Sequence, residues 1–153
     1  MTAFLDTNCL VKIYHAEVGT QEITDFIMRH GSSLTVIIAE ISIVEFRSAF
    51  MRRCRMGEIS RDVADKTIAI FHNDTASMLV APLSTTVVQE SLRLLETHAG
   101  NLALKTLDSL QISSALVFSR ITPIDMVLSS DKTFLEVMRK YLTALNPMSD
   151  SLP

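Results

Sequence analysis

Short, continuously apolar runs recur along this chain between longer segments of helical period, and that alternation limits its fold more than any other feature. The runs AFL, LTVII, MLVAPL and Asp125–Ser129 are each too short for a helix. LTVII is β-branched and apolar throughout, which predicts a central parallel strand covered on both faces. LTALNP reads as a short fifth strand. Between them lie the helical stretches. CLVKIYHA is short and amphipathic, and Thr20 to His30 carries Ile23, Phe26 and Ile27 at spacings of three and four before Gly31. Further helices are predicted over Glu40–Met56, Ser60–Phe71, Thr85–His98, Leu107–Arg120 and Asp131–Tyr141. Strands alternating with helices predict an α/β domain with a mainly parallel sheet of four or five strands. It spans residues 1–147, with 148–153 as a short frayed tail.

With 153 residues, such a chain buries enough surface to need no disulfide or structural metal. No apolar run reaches the roughly 18 residues of a membrane span, because Glu40 and Glu45 interrupt Leu34–Phe50 and Asp125 interrupts the next stretch, so no membrane partner is expected. MTAFLDTNCL lacks the basic and long apolar regions of a secretory signal, and Cys9 and Cys54 match no disulfide framework or zinc spacing; both point to a reducing cytoplasm. A net charge of −3 argues against a generic nucleic-acid-coating protein. One local basic group remains, Arg47, Arg52, Arg53, Arg55 and Arg61, which reads as an RNA surface, a patch for a partner protein or a solvated face. There is no GxxxxGK[ST], GxGxxG or HExxH, and His15, His30, His72 and His98 are scattered.

Ligands of open parallel sheets bind beyond the carboxyl ends of the strands, and four acids are placed to meet there. Asp6 follows the first strand, Asp131 follows VLSS, Glu45 lies early in the helix after the second strand, and Asp108 opens a later helix. Each also has a local explanation. Ser42-x-x-Glu45 fits a capping box, Asp108 and Asp131 suit helix N-termini, and Asp6-Thr7-Asn8 suits a turn. Carboxylates that cluster repel one another unless a cation neutralises them, and an all-oxygen set selects a hard ion, Mg²⁺ or Mn²⁺.

At these positions the sequence resembles the PIN-domain nucleases, most closely the VapC-type toxin ribonucleases of bacterial toxin–antitoxin pairs. LDTNCLVKIYHAEVGT resembles the opening LDTSxLVKxY…E.G[ST], ISIVEFRSAF the second motif, LKTLDSLQISSAL the third, LR.LDALQLA.AL, and VLSSDKTFLEV the fourth, LxTxDxxF. Asn8, Lys105, Ser109 and Ser129 stand where Ser, Arg, Ala and Thr are frequent. The resemblance implies a three-layer α/β/α domain that hydrolyses RNA phosphodiesters with Mg²⁺ or Mn²⁺. It makes Asp6, Glu45, Asp108 and Asp131 the metal-binding and catalytic acids, with Asn8 and Ser129 orienting them. Lys12 is then the nearest cation for a substrate phosphate, or else a solvated helix charge. An antitoxin and a homodimer are the implied partners; the sequence's own 48% hydrophobic content points to shared apolar surface on the helices between Glu40 and Phe71 and around Ile112–Phe118. A phosphoryl-accepting domain would need a DxDxT loop that Asp6-Thr7-Asn8 lacks; the other alternative is a noncatalytic PIN-like module that binds RNA or protein.

Overall fold

The computed structural model describes every residue from Met1 to Pro153. Five strands, β1 (Thr2–Leu5), β2 (Thr35–Ala39), β3 (Leu79–Ala81), β4 (Met126–Leu128) and β5 (Ala144–Leu145), form one sheet in the order β3-β2-β1-β4-β5. Every pairing is parallel, with Phe4 opposite Ile37 on one side and Val127 on the other. Seven α-helices connect them: α1 (Thr7–Tyr14), α2 (Thr20–His30), α3 (Glu40–Arg55), α4 (Arg61–Asp74), α5 (Thr85–His98), α6 (Thr106–Phe118) and α7 (Lys132–Met138). The expected α/β/α layering with a parallel sheet is what the chain adopts, and no helix is long and apolar enough to cross a membrane.

Alternate residues of each strand feed opposite layers, as the pleat requires. Ala3, Leu5, Ile38, Met126 and Leu128 join Cys9, Leu10, Phe26, Phe46 and Phe71 from α1–α4. Phe4, Ile37, Ala39 and Val127 join Leu94, Ile112, Phe134 and Met138 from α5–α7. Both sides of the inner strands are therefore dry, which explains their continuously apolar sequence. The chain lays down β1, β2 and β3 in one direction, then crosses back to place β4 and β5 on the far side of β1. The strand order thus reverses between β1 and β4, the position at which such sheets open a crevice.

Three expectations change. MLVAPL narrows to Leu79–Ala81, because Pro82 has no N–H with which to continue the ladder. Most of Ile112–Phe118 is covered within the chain itself: Ile112 and Ala115 are fully buried and Leu116 nearly so, since α6 packs on α5 and the sheet, and only Val117 and Phe118 keep partial exposure. The C-terminal residues are not frayed. Leu152 packs on the α1–α4 core, Asp150 pairs with Arg139 at 2.6 Å, and the Pro153 carbonyl meets His30 Nε2 at 2.9 Å. Met148 lies against Gly19, whose φ of 94° and close approach (an added Cβ would stand 2.8 Å from Met148 Cγ) both call for glycine.

Phe46 is the hub of the α1–α4 layer: it is fully buried, stacks on Phe71 and Phe50 at 4.0 and 4.6 Å between centroids, and meets Tyr14 edge-on at 5.2 Å. Phe46→Ala leaves a cavity that three rigid rings cannot fill, and it should lower stability by about 3–5 kcal/mol, read as a shifted midpoint in urea unfolding.

Candidate active site

Asp6 is the first residue beyond the middle strand. Its backbone N–H still bonds Leu128 O on β4 at 3.0 Å, while its side chain caps α1 by accepting from Thr7 N at 2.7 Å through Oδ1. The other oxygen, Oδ2, accepts from Ser129 Oγ at 2.7 Å and Asn8 Nδ2 at 2.6 Å. Ser129 reaches it because β4 ends one residue earlier, directly beside β1. The Ser129 oxygen in turn accepts from Asp131 N at 3.1 Å, and Asn8 Oδ1 accepts from Ser130 N at 3.0 Å. Asn8 and Ser129 thus lock the two strand ends together through the Asp6 carboxylate. Asp131 begins α7 and caps it, Oδ1 accepting from Phe134 N at 2.8 Å.

Glu45 is held differently from the capping box that Ser42-x-x-Glu45 suggests. Ala39 occupies the cap position of α3, so Ser42 lies inside the helix, fully buried. Glu45 Oε2 accepts from Thr7 Oγ1 at 2.7 Å and Gln111 Nε2 at 2.6 Å, leaving Oε1 without a protein donor. Gln111 Nε2 also stands 2.7 Å from Thr7 Oγ1 and 2.8 Å from Ser42 Oγ. Thr7, Ser42 and Gln111 were missed in the sequence. Their only signal there is a polar side chain on an otherwise apolar helix face, Gln111 within LDSLQISSAL being the plainest case.

The four acids share one cleft. A cavity of about 490 Å³ is lined by Asp6, Glu45, Asp108 and Asp131, with Thr7, Asn8, Val44, Ser48, Arg52, Arg53 and Leu107 among its other walls. Burial raises the Asp6 carboxyl to about 7 against the bonds from Ser129 and Thr7, and the charges of Glu45 and Asp108 push it the same way. Burial raises Asp108 too, helped by the charges of Asp131 and Glu45 and opposed by Lys105. Each acid is thus coupled electrostatically to at least one other. No three His, Cys, Asp or Glu side chains are grouped as a ready-made metal cage. The donor chemistry nonetheless suits a hard cation: the charged groups are all carboxylates, one is buried and reluctant to ionise, and several of their oxygens lack a protein donor.

Lys12 is not a solvated helix charge. It is buried, lies outside the cleft lining, and bonds Glu17 Oε1 at 2.8 Å. Arg53 bonds Glu17 Oε2 at 2.5 Å and Glu58 at 3.0 Å. Burial works against the Glu17 carboxylate, yet the bonds and charges of Lys12 and Arg53 hold it below its ordinary range. Both cations are already neutralised by carboxylates.

A carboxyl raised to about 7 when folded, against 3.8 in the open chain, binds a proton that the unfolded state has lost. In chelator, stability should therefore fall as pH rises from about 4 to about 7 and level off above that window. Asp6→Asn should flatten this decline in thermal melts taken across the same range.

The family model described as PIN domain matches residues 3–140. Among solved structures, VapBC2 from Rickettsia felis, bound to a DNA fragment from its promoter, aligns with a TM-score of 0.69 at 15% identity, over 95% of this chain and 98% of that one. VapBC-1 from nontypeable Haemophilus influenzae aligns with a TM-score of 0.68 at 11% identity, over 97% and 100%. Mycobacterium tuberculosis VapC20, a sarcin–ricin loop cleaving toxin, aligns with a TM-score of 0.64 at 14% identity, over 86% and 92%. At these identities the likeness is one of fold. A comparison with curated protein sequences finds no match.

Proposed function

The chain belongs to the PIN domain family, and from that premise we propose that it is a metal-dependent endoribonuclease, the toxin of a toxin–antitoxin pair. The observation that carries this reading is the convergence of Asp6, Glu45, Asp108 and Asp131 on one cleft at the carboxyl edge of the sheet, where their charges act on one another. Four carboxylates repel a phosphodiester as they repel each other, so the cleft accepts a polyanion only once its charge is offset. Mg²⁺ or Mn²⁺, when bound, supplies that charge, polarises a phosphate oxygen and acidifies water.

In this reading the chain's own residues do the positioning. Asp6 is fixed through both oxygens by Thr7 N–H, Ser129 and Asn8, so it presents its remaining lone pairs in one orientation. Glu45 is clamped through Oε2 and keeps Oε1 for a cation, while Asp131 keeps Oδ2 beyond the oxygen that caps α7. Asp108, half-buried in the first turn of α6, lines the same cleft and is acted on by the charges of Asp131 and Glu45. Nothing here needs a covalent enzyme intermediate; the acids and their supports orient substrate and water for in-line attack.

The antitoxin partner draws support from the similar VapBC structures, and the ribonuclease activity from the M. tuberculosis toxin described as cleaving the sarcin–ricin loop. The cysteines Cys9 and Cys54 are unpaired, in keeping with action on RNA in the cytoplasm. Exposed Val44, Val63 and Ile70 on α3 and α4 provide apolar surface for a homodimer.

Incubated with structured and single-stranded RNA, the protein should cleave with Mg²⁺ or Mn²⁺ and stop in EDTA. Ser129→Ala should lower the rate roughly 10–100-fold, and Asp6→Asn or Asp108→Asn more than that. Activity persisting in both Asp variants would reject the site. RNA binding without cleavage under every metal condition would instead favour a noncatalytic module. Light scattering at micromolar concentration should return a mass near twice the 17.0 kDa of one chain.

A further inference from the structure

Five arginines crowd the stretch from Arg47 to Arg61, and the structure sorts them. Arg53 is bound to Glu17 and Glu58, and Arg61 pairs with Asp65 across one turn of α4 at 2.8 Å. Arg47, Arg52 and Arg55 form no ion pair. Of these three, only Arg52 lines the acid-walled cleft. The end of α3 accounts for its charge in general, since cations in a last turn suit the helix dipole, but Arg53 and Arg55 share that position and the dipole selects none of them for the cleft.

Glu45, Ser48 and Arg52 follow one another at spacings of three and four along one face of α3, and all three line the cleft. Seven residues of helix separate Glu45 from Arg52, roughly 10.5 Å of rise. A polyanionic strand centred on the carboxylates therefore meets an uncompensated guanidinium farther along the same wall. The neighbouring cations are already taken, because Glu17 binds both Lys12 and Arg53 and Glu58 binds Arg53 as well. A guanidinium is also the side chain whose fork matches two phosphate oxygens at once.

We infer that Arg52 binds a backbone phosphate of single-stranded RNA flanking the bond to be cut, and so sets the path of the strand along α3. Arg52 is a substrate-binding residue and takes no part in the chemistry. This assignment rests on the ribonuclease reading for its substrate class.

The test separates the two. Binding of a fluorescently labelled single-stranded RNA to the Asp6→Asn protein in Mg²⁺ is followed by anisotropy from about 50 to about 200 mM salt. Adding Arg52→Ala should weaken Kd about tenfold at the low-salt end and make the slope of log Kd against log salt shallower by about 0.7, the increment for one phosphate on a single strand. Arg52→Lys should retain most of the slope, since the charge remains. Arg47→Ala and Arg55→Ala should leave it unchanged. A slope unaltered by Arg52→Ala, or altered equally by all three alanine variants, overturns the assignment. So does binding of an acidic peptide, but not RNA, that depends on Arg52. Cleavage by the Asp6 parent is read separately: RNA bound through Arg52 but never cut overturns the nuclease reading and leaves this one standing, whereas no RNA binding at all overturns both.

Discussion

A carboxylate buried at the end of the middle strand is the constraint around which the rest of this molecule is arranged. Asp6 is 7% exposed, and burial alone would make its ionised form costly. Three donors and a dipole offset that cost in part: the Thr7 N–H, the Asn8 amide, the Ser129 hydroxyl from the adjacent strand, and the start of α1, whose dipole favours a negative charge there. The Ser129 hydroxyl can be supplied only when β1 and β4 are neighbours in parallel register with their ends level, as Leu5 and Leu128 are. The sheet order that makes the crevice and the cross-strand hydrogen bond that holds the acid are thus one geometric fact.

A second polar cluster joins three helices that the chain keeps far apart. Thr7 of α1, Ser42 and Glu45 of α3 and Gln111 of α6 meet in a largely apolar interior. The amide of Gln111 has two protons and three oxygens within reach, and the Thr7 hydroxyl proton completes the set by going to Glu45. A network like this is stabilising only when its members find one another, since an unpaired polar group in a low-dielectric core is expensive. It therefore fixes the relative placement of α1, α3 and α6, and with them the walls of the cleft. Gln111 Oε1 is the one buried atom of the network left without a partner.

Charge is divided in the same spirit. The acids of the cleft stand close enough to raise the proton affinity of Asp6 and Asp108, while Glu17 and Glu58 gather Lys12 and Arg53 into a compact, neutralised group at the edge. The net charge of −3 hides this separation entirely. A polyanion approaching the cleft meets a negative centre and a single free cation on the α3 wall, so the order of charges, and not their sum, decides what the surface can hold.

The succession of strands and helices was legible from residue pattern alone, because the two-residue pleat and the 3.6-residue turn write their periods into any segment with a buried face. The places of Asp6 and Asp131 followed from the same reading, since a polar residue directly after a buried strand lies at the carboxyl edge of the sheet whatever surrounds it. Interactions across long stretches of chain left no such period. Ser129 bonds an acid 123 residues away and Gln111 a hydroxyl 104 residues away, and no local window contains both partners. For that reason Gln111 carries no local mark of its role, Lys12 fits a phosphate contact as well as a solvated helix charge, Ser42 fits a cap, Ile112–Phe118 fits an apolar surface and 148–153 fits loose ends. Burial, pairing and charge environment are properties of what the folded chain brings alongside a residue. Local periods select the elements; only the tertiary structure selects their neighbours, because contact energies act through space and not along the sequence.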